Sequence, residues 1–200
     1  MPGLNTMTPE ILLPLIGAPD APVLIDVCID EDFALDPRLI PGAFRHPFAA
    51  IEALAPDLFG QEVVIICQKG LKLSQGAAAL LRAHGVNARA LTGGMAQWAA
   101  LGHPAIPAAA LPRQRVVTAE DPTPDTLAAL WLIQRYARWN VQPLFVAPDT
   151  IEAVADRFDA TVLTPFADLR SQLCLTQQPL IRLENTLKGD TPEAAGMAAA

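Results

Sequence analysis

Two short apolar runs, each followed by a polar loop and a stretch of helical character, place the tightest constraint on this chain. Residues 23–27 and 63–66 are rich in β-branched side chains, and both runs suit strands buried on both faces of a sheet. The second run ends at Cys67, and from Leu73 the apolar residues follow helical spacing until His84 and Gly85. This order of strand, loop and helix predicts an α/β fold with a mainly parallel sheet.

The other segments continue the alternation and divide the chain. We expect a cover helix between Thr8 and Gly17, a strand at 88–91, a helix at 95–101, strands at 115–118 and 144–147, and helices at 125–138, 149–158, 166–175 and 180–187. The predicted organisation is an α/β domain over 1–108, a linker rich in Ala and Pro over 109–124, a small, mainly helical α/β accessory domain over 125–188, and a disordered tail over 189–200.

Composition excludes several classes of function. The 200 residues include 14 Lys and Arg against 21 Asp and Glu, a net charge of −7, so general attraction to nucleic acid or anionic lipid is not expected. Hydrophobic residues make up 52% and charged residues 18%, which favours a folded chain with a real core. No apolar run approaches the roughly 20 residues of a membrane span. We therefore expect no nucleic-acid or membrane partner and, without a secretory signal, a cytoplasmic location.

The three cysteines, Cys28, Cys67 and Cys174, are odd in number, far apart and without a Cys-x-x-Cys pair. This pattern argues against a disulfide scaffold and against a closed zinc site. We expect no metal and no cofactor, and interpret the scattered His46, His84 and His103 as structural. Each cysteine is then either a reactive thiol or a small buried apolar residue.

Cys67 has the strongest claim to chemistry. It follows a central strand and precedes a helix, which is where open α/β sheets place their active sites. Gly70 permits a tight loop whose N–H groups form an anion-binding nest, while Lys69 and Lys72 add positive charge that favours a thiolate. The position six residues after Cys67 is Leu73 and not an arginine, which disfavours phosphatase or arsenate chemistry. The alternative is a buried cysteine that ends an apolar strand beside two solvated lysines.

A family resemblance rests on motifs that stand in order along the chain: Val23-Leu24-Ile25-Asp26-Val27, Asp32-Phe33, Ile40-Pro41-Gly42-Ala43, Cys67 with its loop, and Gly93-Gly94-Met95-x-x-Trp98-x-x-x-Gly102-x-Pro104. Over residues 8–108 they resemble the motifs of a rhodanese domain. The resemblance implies a five-stranded parallel sheet flanked by helices, and sulfur transfer through a persulfide on Cys67. It also implies that the persulfide is held by the backbone N–H groups of Gln68, Lys69, Gly70, Leu71, Lys72 and Leu73. The implied partners are a small anionic sulfur donor such as thiosulfate and a thiol, cyanide or protein acceptor.

Departures from the family pattern occur at two places near the site. Cys28 stands where an arginine usually follows Asp-Val, which removes a cation that would pair with Asp32. Lys72 and Leu73 stand where an Arg-Ser pair is common, so the charge is kept and a hydroxyl is lost. Cys28 is either a thiol that resolves Cys67 or a small packing residue.

The stretch 125–158 is similar to the C-terminal domain of chromate-resistance proteins. Cysteine, proline and arginine in that family are replaced here by Ala129, Leu130 and Thr126, so the resemblance implies the scaffold without its chemistry. We expect Trp131, Leu132, Ile133 and Phe145 in the core, and Cys174 as apolar filling.

Three functional hypotheses follow. The first is a sulfurtransferase that carries sulfur on Cys67. The second is a binding module in which Cys67 senses persulfides or oxidants without turnover. The third is resistance to chromate or another oxyanion, which requires the second half of the chain.

Overall fold

The computed structural model describes residues 4–138 and 140–188. The chain divides into two compact units, Met1–Ala109 and Ala110–Ala200. Within the described ranges, no helix is both long enough and apolar enough to cross a bilayer.

The first unit is built on a five-stranded sheet. The strands of the first unit, inside and outside this sheet, are β1 (Thr6–Met7), β2 (Val23–Asp26), β3 (Arg38–Leu39), β4 (Ala43–Arg45), β5 (Glu62–Ile66), β6 (Asn87–Leu91) and β7 (Ile106–Pro107). Its α-helices are α1 (Pro9–Leu12), α2 (Asp30–Leu35), α3 (Lys72–Ala83) and α4 (Gly94–Ala100), and a long 3₁₀ segment covers Phe48–Leu58. The sheet has the order β1-β6-β5-β2-β4 with every pair parallel, while β3 and β7 form a separate antiparallel pair. The predicted α/β fold with five parallel strands is confirmed.

Burial explains why β5 is the central strand. The side chains of residues 63–66 are at most 1% exposed, as expected for a parallel strand covered on both faces. Helix α3 covers one face with residues at helical spacing, namely Ser74, Ala77, Ala78 and Leu81. Truncation of a side chain as enclosed as Leu81 costs about 2–5 kcal/mol of stability. The strand end that carries Cys67 is therefore held in a rigid core.

The second unit contains a smaller parallel sheet with the order β10-β8-β9. Its elements are β8 (Arg115–Ala119), α5 (Pro124–Leu132), a π-helical turn (Ile133–Ala137), β9 (Gln142–Val146), α6 (Ile151–Phe158), β10 (Ala160–Val162), α7 (Phe166–Gln172) and α8 (Gln178–Leu187). The expected strands and helices are present here, and β10 is an additional strand.

The second unit differs from the sequence-based expectations in several places. The strand expected at 115–118 within the linker 109–124 is present as β8, but it is the central strand of a sheet, with Val116 and Val117 fully buried between two partner strands. Phe145 is 45% exposed because its neighbours in β9 point to the other face, where they pack on the core beneath α6. Trp131 and Cys174 are also exposed, so neither is a core residue. Leu132 and Ile133 are buried as expected, and the predicted tail 189–200 lies outside the described residues.

Candidate active site

Cys67 is the first residue after β5, at the edge where the carboxyl ends of the parallel strands meet. Its side chain is almost enclosed, with 4% of the residue exposed, and its Sγ lies 3.1 Å from the Oγ of Ser74. The adjacent strand β2 ends at the same level, because the N–H of Val27 donates to the carbonyl of Ile66 at 2.8 Å. Cys67 thus occupies the strand end predicted from the sequence.

The loop after Cys67 is pressed against the start of α4. Gly70 has a φ of +66°, and a Cβ there would collide with the carbonyl of Leu91 and lie 2.6 Å from the N of Gly93. Gly94 has a φ of +58°, and a Cβ there would collide with the carbonyl of Cys67. Both positions require glycine for conformation and for space.

Two hydrogen bonds orient the peptide groups of this loop. The N–H of Met95 donates to the carbonyl of Cys67 and that of Ala96 to the carbonyl of Gln68, each at 3.0 Å. Because the C=O and N–H of one peptide point in opposite directions, the N–H groups of Gln68 and Lys69 face away from α4. Within the described residues, the N–H groups of residues 68–73 donate no hydrogen bond. The loop and the first turn of α3 therefore present a series of free donors, as an anion-binding nest requires.

The side chains of the predicted cradle go to different environments. Lys69, Leu71 and Lys72 are exposed, Gln68 and Leu73 are half-buried, and Gly70 is buried. Leu73 packs on the hydrophobic core, so only its backbone is available to a ligand. The loop is braced by Gln75, whose Nε2 donates to the carbonyl of Gly70 at 3.1 Å.

Cys28 lies two residues after β2, and a carboxylate makes its electrostatic surroundings different from those of Cys67. It is 7% exposed and packs in the same hydrophobic cluster as Cys67. Burial raises the pKa of the Cys28 thiol well above its ordinary value, and the nearby Asp26 carboxylate raises it further. Asp26 is itself 2% exposed, and burial raises its pKa although it accepts a 2.9 Å hydrogen bond from the N–H of Cys28. These surroundings oppose a Cys28 thiolate and favour the packing role over the resolving role.

Arg45 of β4 supplies positive charge at the end of β2. Its Nη2 donates to the carbonyl of Cys28 at 2.9 Å and to Oδ1 of Asp30 at 2.8 Å. The guanidinium also lies 4.1 Å from the centre of the Phe33 ring. A cation from a neighbouring strand thus occupies the region where the sequence lacks an arginine after Asp-Val, and it pairs with Asp30.

A cavity of about 340 Å³ opens at this edge of the sheet. Residues 28–31 and 45–48 line it, so it lies between the ends of β2 and β4. Its volume is in the range of pockets that hold small molecules. Cys28 belongs to its wall, while Cys67 lies one strand away.

Comparison with known proteins identifies the first unit. The family model of the rhodanese-like domain matches residues 8–101. Residues 8–101, and not the whole chain, are therefore a rhodanese-like domain. The match ends seven residues before the boundary expected from the motifs, and the resemblance of the second unit to chromate-resistance proteins stays a prediction. No curated protein matches the chain.

Solved structures of rhodanese-like proteins resemble this domain. A rhodanese-related protein from Thermoplasma volcanium is 20% identical, with a TM-score of 0.44, and the match covers 51% of this chain and 97% of that one. A rhodanese-like domain protein from Staphylococcus aureus is 25% identical, with a TM-score of 0.42 and coverages of 47% and 90%. A thiosulfate sulfurtransferase from Pseudomonas aeruginosa is 28% identical, with a TM-score of 0.44 and coverages of 52% and 19%.

Ser74 is a residue of the site that was not predicted from the sequence. It is fully buried, and it is the polar group within hydrogen-bond distance of Cys67 Sγ. The signal was present in the sequence, because Ser74, Ala77, Ala78 and Leu81 share one face of α3 at helical spacing. A serine on an otherwise apolar face indicates a hydroxyl that has a specific partner. No cluster of three or more potential metal ligands occurs in the described parts of the chain.

Proposed function

We propose that the protein is a sulfurtransferase in which Cys67 carries the transferred sulfur as a persulfide. The observation that carries the proposal is the position of the Cys67 thiol at the sheet edge, before a loop whose N–H groups face away from α4. Such a nest stabilises an anionic sulfur better than a neutral thiol. The exposed Lys69 and Lys72 add positive charge around the same loop in a chain of net charge −7. A reducing compartment such as the cytoplasm would keep this thiol free.

The proposed reaction has two displacement steps. In the first, the Cys67 thiolate attacks the sulfane sulfur of a small anionic donor such as thiosulfate, the S–S bond of the donor breaks, and sulfite leaves with the electron pair. In the second, cyanide, a thiol or a protein acceptor attacks the outer sulfur of the persulfide. The bond between the two sulfurs breaks, and the electron pair returns to Cys67 as a thiolate. Neither step needs an external oxidant or a cofactor.

The structure also supports room for a second reactant. The cavity along residues 28–31 and 45–48 opens at the sheet edge that carries Cys67. An acceptor at this edge approaches from outside the core, which suits transfer to either a small molecule or a larger protein partner.

The test is sulfur loading and turnover with the full chain. After incubation with thiosulfate, intact-mass spectrometry should show a gain of about 32 Da, one sulfur atom, which cyanide removes as thiocyanate. Cys67→Ser should lose both loading and thiocyanate production. The matched control is Cys28→Ser, which should retain both within about twofold because Cys28 is disfavoured as a thiolate.

The outcomes separate the sulfurtransferase from its rivals. If Cys67 is loaded with sulfur but neither cyanide nor any thiol tested gives multiple turnover, the sensing hypothesis is favoured over the enzyme hypothesis. Unchanged thiocyanate production in Cys67→Ser would refute the proposed nucleophile.

A further inference from the structure

A continuous hydrogen-bond chain runs from the proposed nucleophile to the start of α3. The Cys67 thiol donates to the Oγ of Ser74 at 3.1 Å, and the Ser74 hydroxyl donates to the carbonyl of Leu71 at 3.3 Å. Ser74 is 0% exposed, so water does not compete for its hydroxyl. In this arrangement Ser74 is an acceptor towards Cys67, which suits the neutral thiol.

We propose that Ser74 is a catalytic residue whose hydroxyl turns from the Leu71 carbonyl to the Cys67 sulfur whenever that sulfur carries negative charge. The inference rests on the proposed sulfur transfer, in which the Cys67 sulfur is a thiolate before the first displacement and becomes one again as the second displacement ends. A hydroxyl hydrogen rotates to suit its partner, so the change needs no movement of the serine carbon or oxygen atoms.

The cost of this rotation is small because Leu71 keeps another donor. Its carbonyl also accepts the first helical hydrogen bond of α3, from the N–H of Gln75 at 2.9 Å. When the Ser74 hydroxyl turns away, the Leu71 carbonyl therefore remains satisfied. Ser74 is thus free to exchange its weak 3.3 Å bond for a charge-assisted bond to sulfur.

Ser74 acts at both chemical steps without transferring a proton. Before the first displacement, its hydrogen bond stabilises the attacking thiolate. In the second displacement, the Cys67 sulfur is the leaving group, and the same bond stabilises the negative charge as the S–S bond breaks. Stabilisation of the leaving thiolate is present only as that charge develops, so its loss should lower kcat more than it raises KM.

The experiment compares the chain with Ser74→Ala in a Cys174→Ser background, which removes the exposed competing thiol. The readout is the pH dependence of iodoacetamide alkylation at Cys67, located by peptide mass spectrometry. We expect about a tenfold slower alkylation at neutral pH and a midpoint moved to higher pH, because one charge-assisted hydrogen bond to the thiolate is lost. Thiocyanate kcat should fall about tenfold with little change in the KM for thiosulfate.

The matched control is Thr118→Val, which removes a different buried hydroxyl, in the second unit. It should leave the alkylation profile and the kcat unchanged, and thermal unfolding of both variants verifies that they fold. An alkylation profile in Ser74→Ala that matches the parent chain would overturn the inference, even if sulfur transfer occurs. A shifted profile in a protein that makes no thiocyanate would support the hydrogen bond to the thiolate and refute the proposed function instead.

Discussion

The neighbouring strands β2 and β5 end side by side, and each is followed within two residues by a cysteine, but the two thiols are placed in opposite electrostatic settings. Cys28 faces a buried carboxylate, Asp26, which disfavours a second negative charge. Cys67 is followed by a glycine-containing loop with free N–H groups and lysines. From this comparison we expect the loop after Cys67 and the carboxylate beside Cys28, more than the shared position at the sheet edge, to decide which thiol reacts.

The largest effect on activity and stability should come from a side chain added to the Cys67 loop. Gly70→Ala forces a Cβ into the carbonyl of Leu91 at a residue with a φ of +66°, so the loop must move. We expect sulfur transfer to fall to background. Hydrogen exchange should show the first unit less stable by about 2–4 kcal/mol.

The matched control for Gly70→Ala lies six residues further on. Gly76 is within α3, and a Cβ there meets no atom within 4 Å. Gly76→Ala should keep activity and raise stability by about 1 kcal/mol through helix propensity. Equal sulfur transfer and equal stability in the two variants would contradict the requirement for glycine at position 70.

The next effect is the difference in reactivity between the two thiols. In the Cys174→Ser background at mildly alkaline pH, iodoacetamide should modify Cys67 about a hundredfold faster than Cys28, because burial and Asp26 raise the pKa of the Cys28 thiol. Peptide mass spectrometry after timed quenching gives both rates. Comparable rates would mean that the environment of Cys28 does not suppress its thiolate, and would restore it as a resolving thiol.

The smallest effect concerns Asp26, because burial raises the pKa of its carboxyl above the ordinary value. Because the folded state binds this proton more tightly than the unfolded state, the stabilising contribution is present below about pH 4 and is lost as pH rises through the raised pKa. Asp26→Asn keeps an oxygen acceptor for the N–H of Cys28 and removes the ionisation. Relative to the parent chain, we expect the variant to gain stability as the pH rises from about 4 to 8.

Hydrogen exchange of the β2 amides measures this gain in the first unit alone. The exposed Asp20→Asn is the control and should show no such gain. A parent chain and an Asp26→Asn variant that lose stability in parallel over this pH range would contradict the assignment of a costly buried charge to Asp26.

Much of the first unit could be predicted because its central strands carry a strong pattern. Residues 63–66 are uniformly apolar because both faces of β5 are covered, and that signal also located Cys67. The edge strands β1 and β4 have only two and three residues, too few for any period to emerge. These two strands were expected only because the family resemblance implies a five-stranded sheet.

Tertiary contacts explain what the sequence did not predict. The partner of Arg45 is Cys28, 17 residues earlier in the chain on the other side of a strand pair. The partner of Ser74 is Cys67, seven residues earlier and before the start of α3. In the second unit, the Ala- and Pro-rich composition of 109–124 still allowed the strand at 115–118 to be predicted, but its place at the centre of a sheet depends on partners distant in the chain. Trp131 and Cys174 were predicted in the core from their hydrophobic character alone, but both are exposed in the structure.

The bond from Arg45 to the carbonyl of Cys28 also bears on how sequences of this kind should be compared. A search that demands an arginine directly after Asp-Val would score position 28 as a loss, although a guanidinium reaches the same strand end from β4. Positions 28 and 45 are therefore better treated as one pair that shares a single charge requirement. A second arginine at position 28 would bring two like charges against the same end of β2, which costs electrostatic free energy.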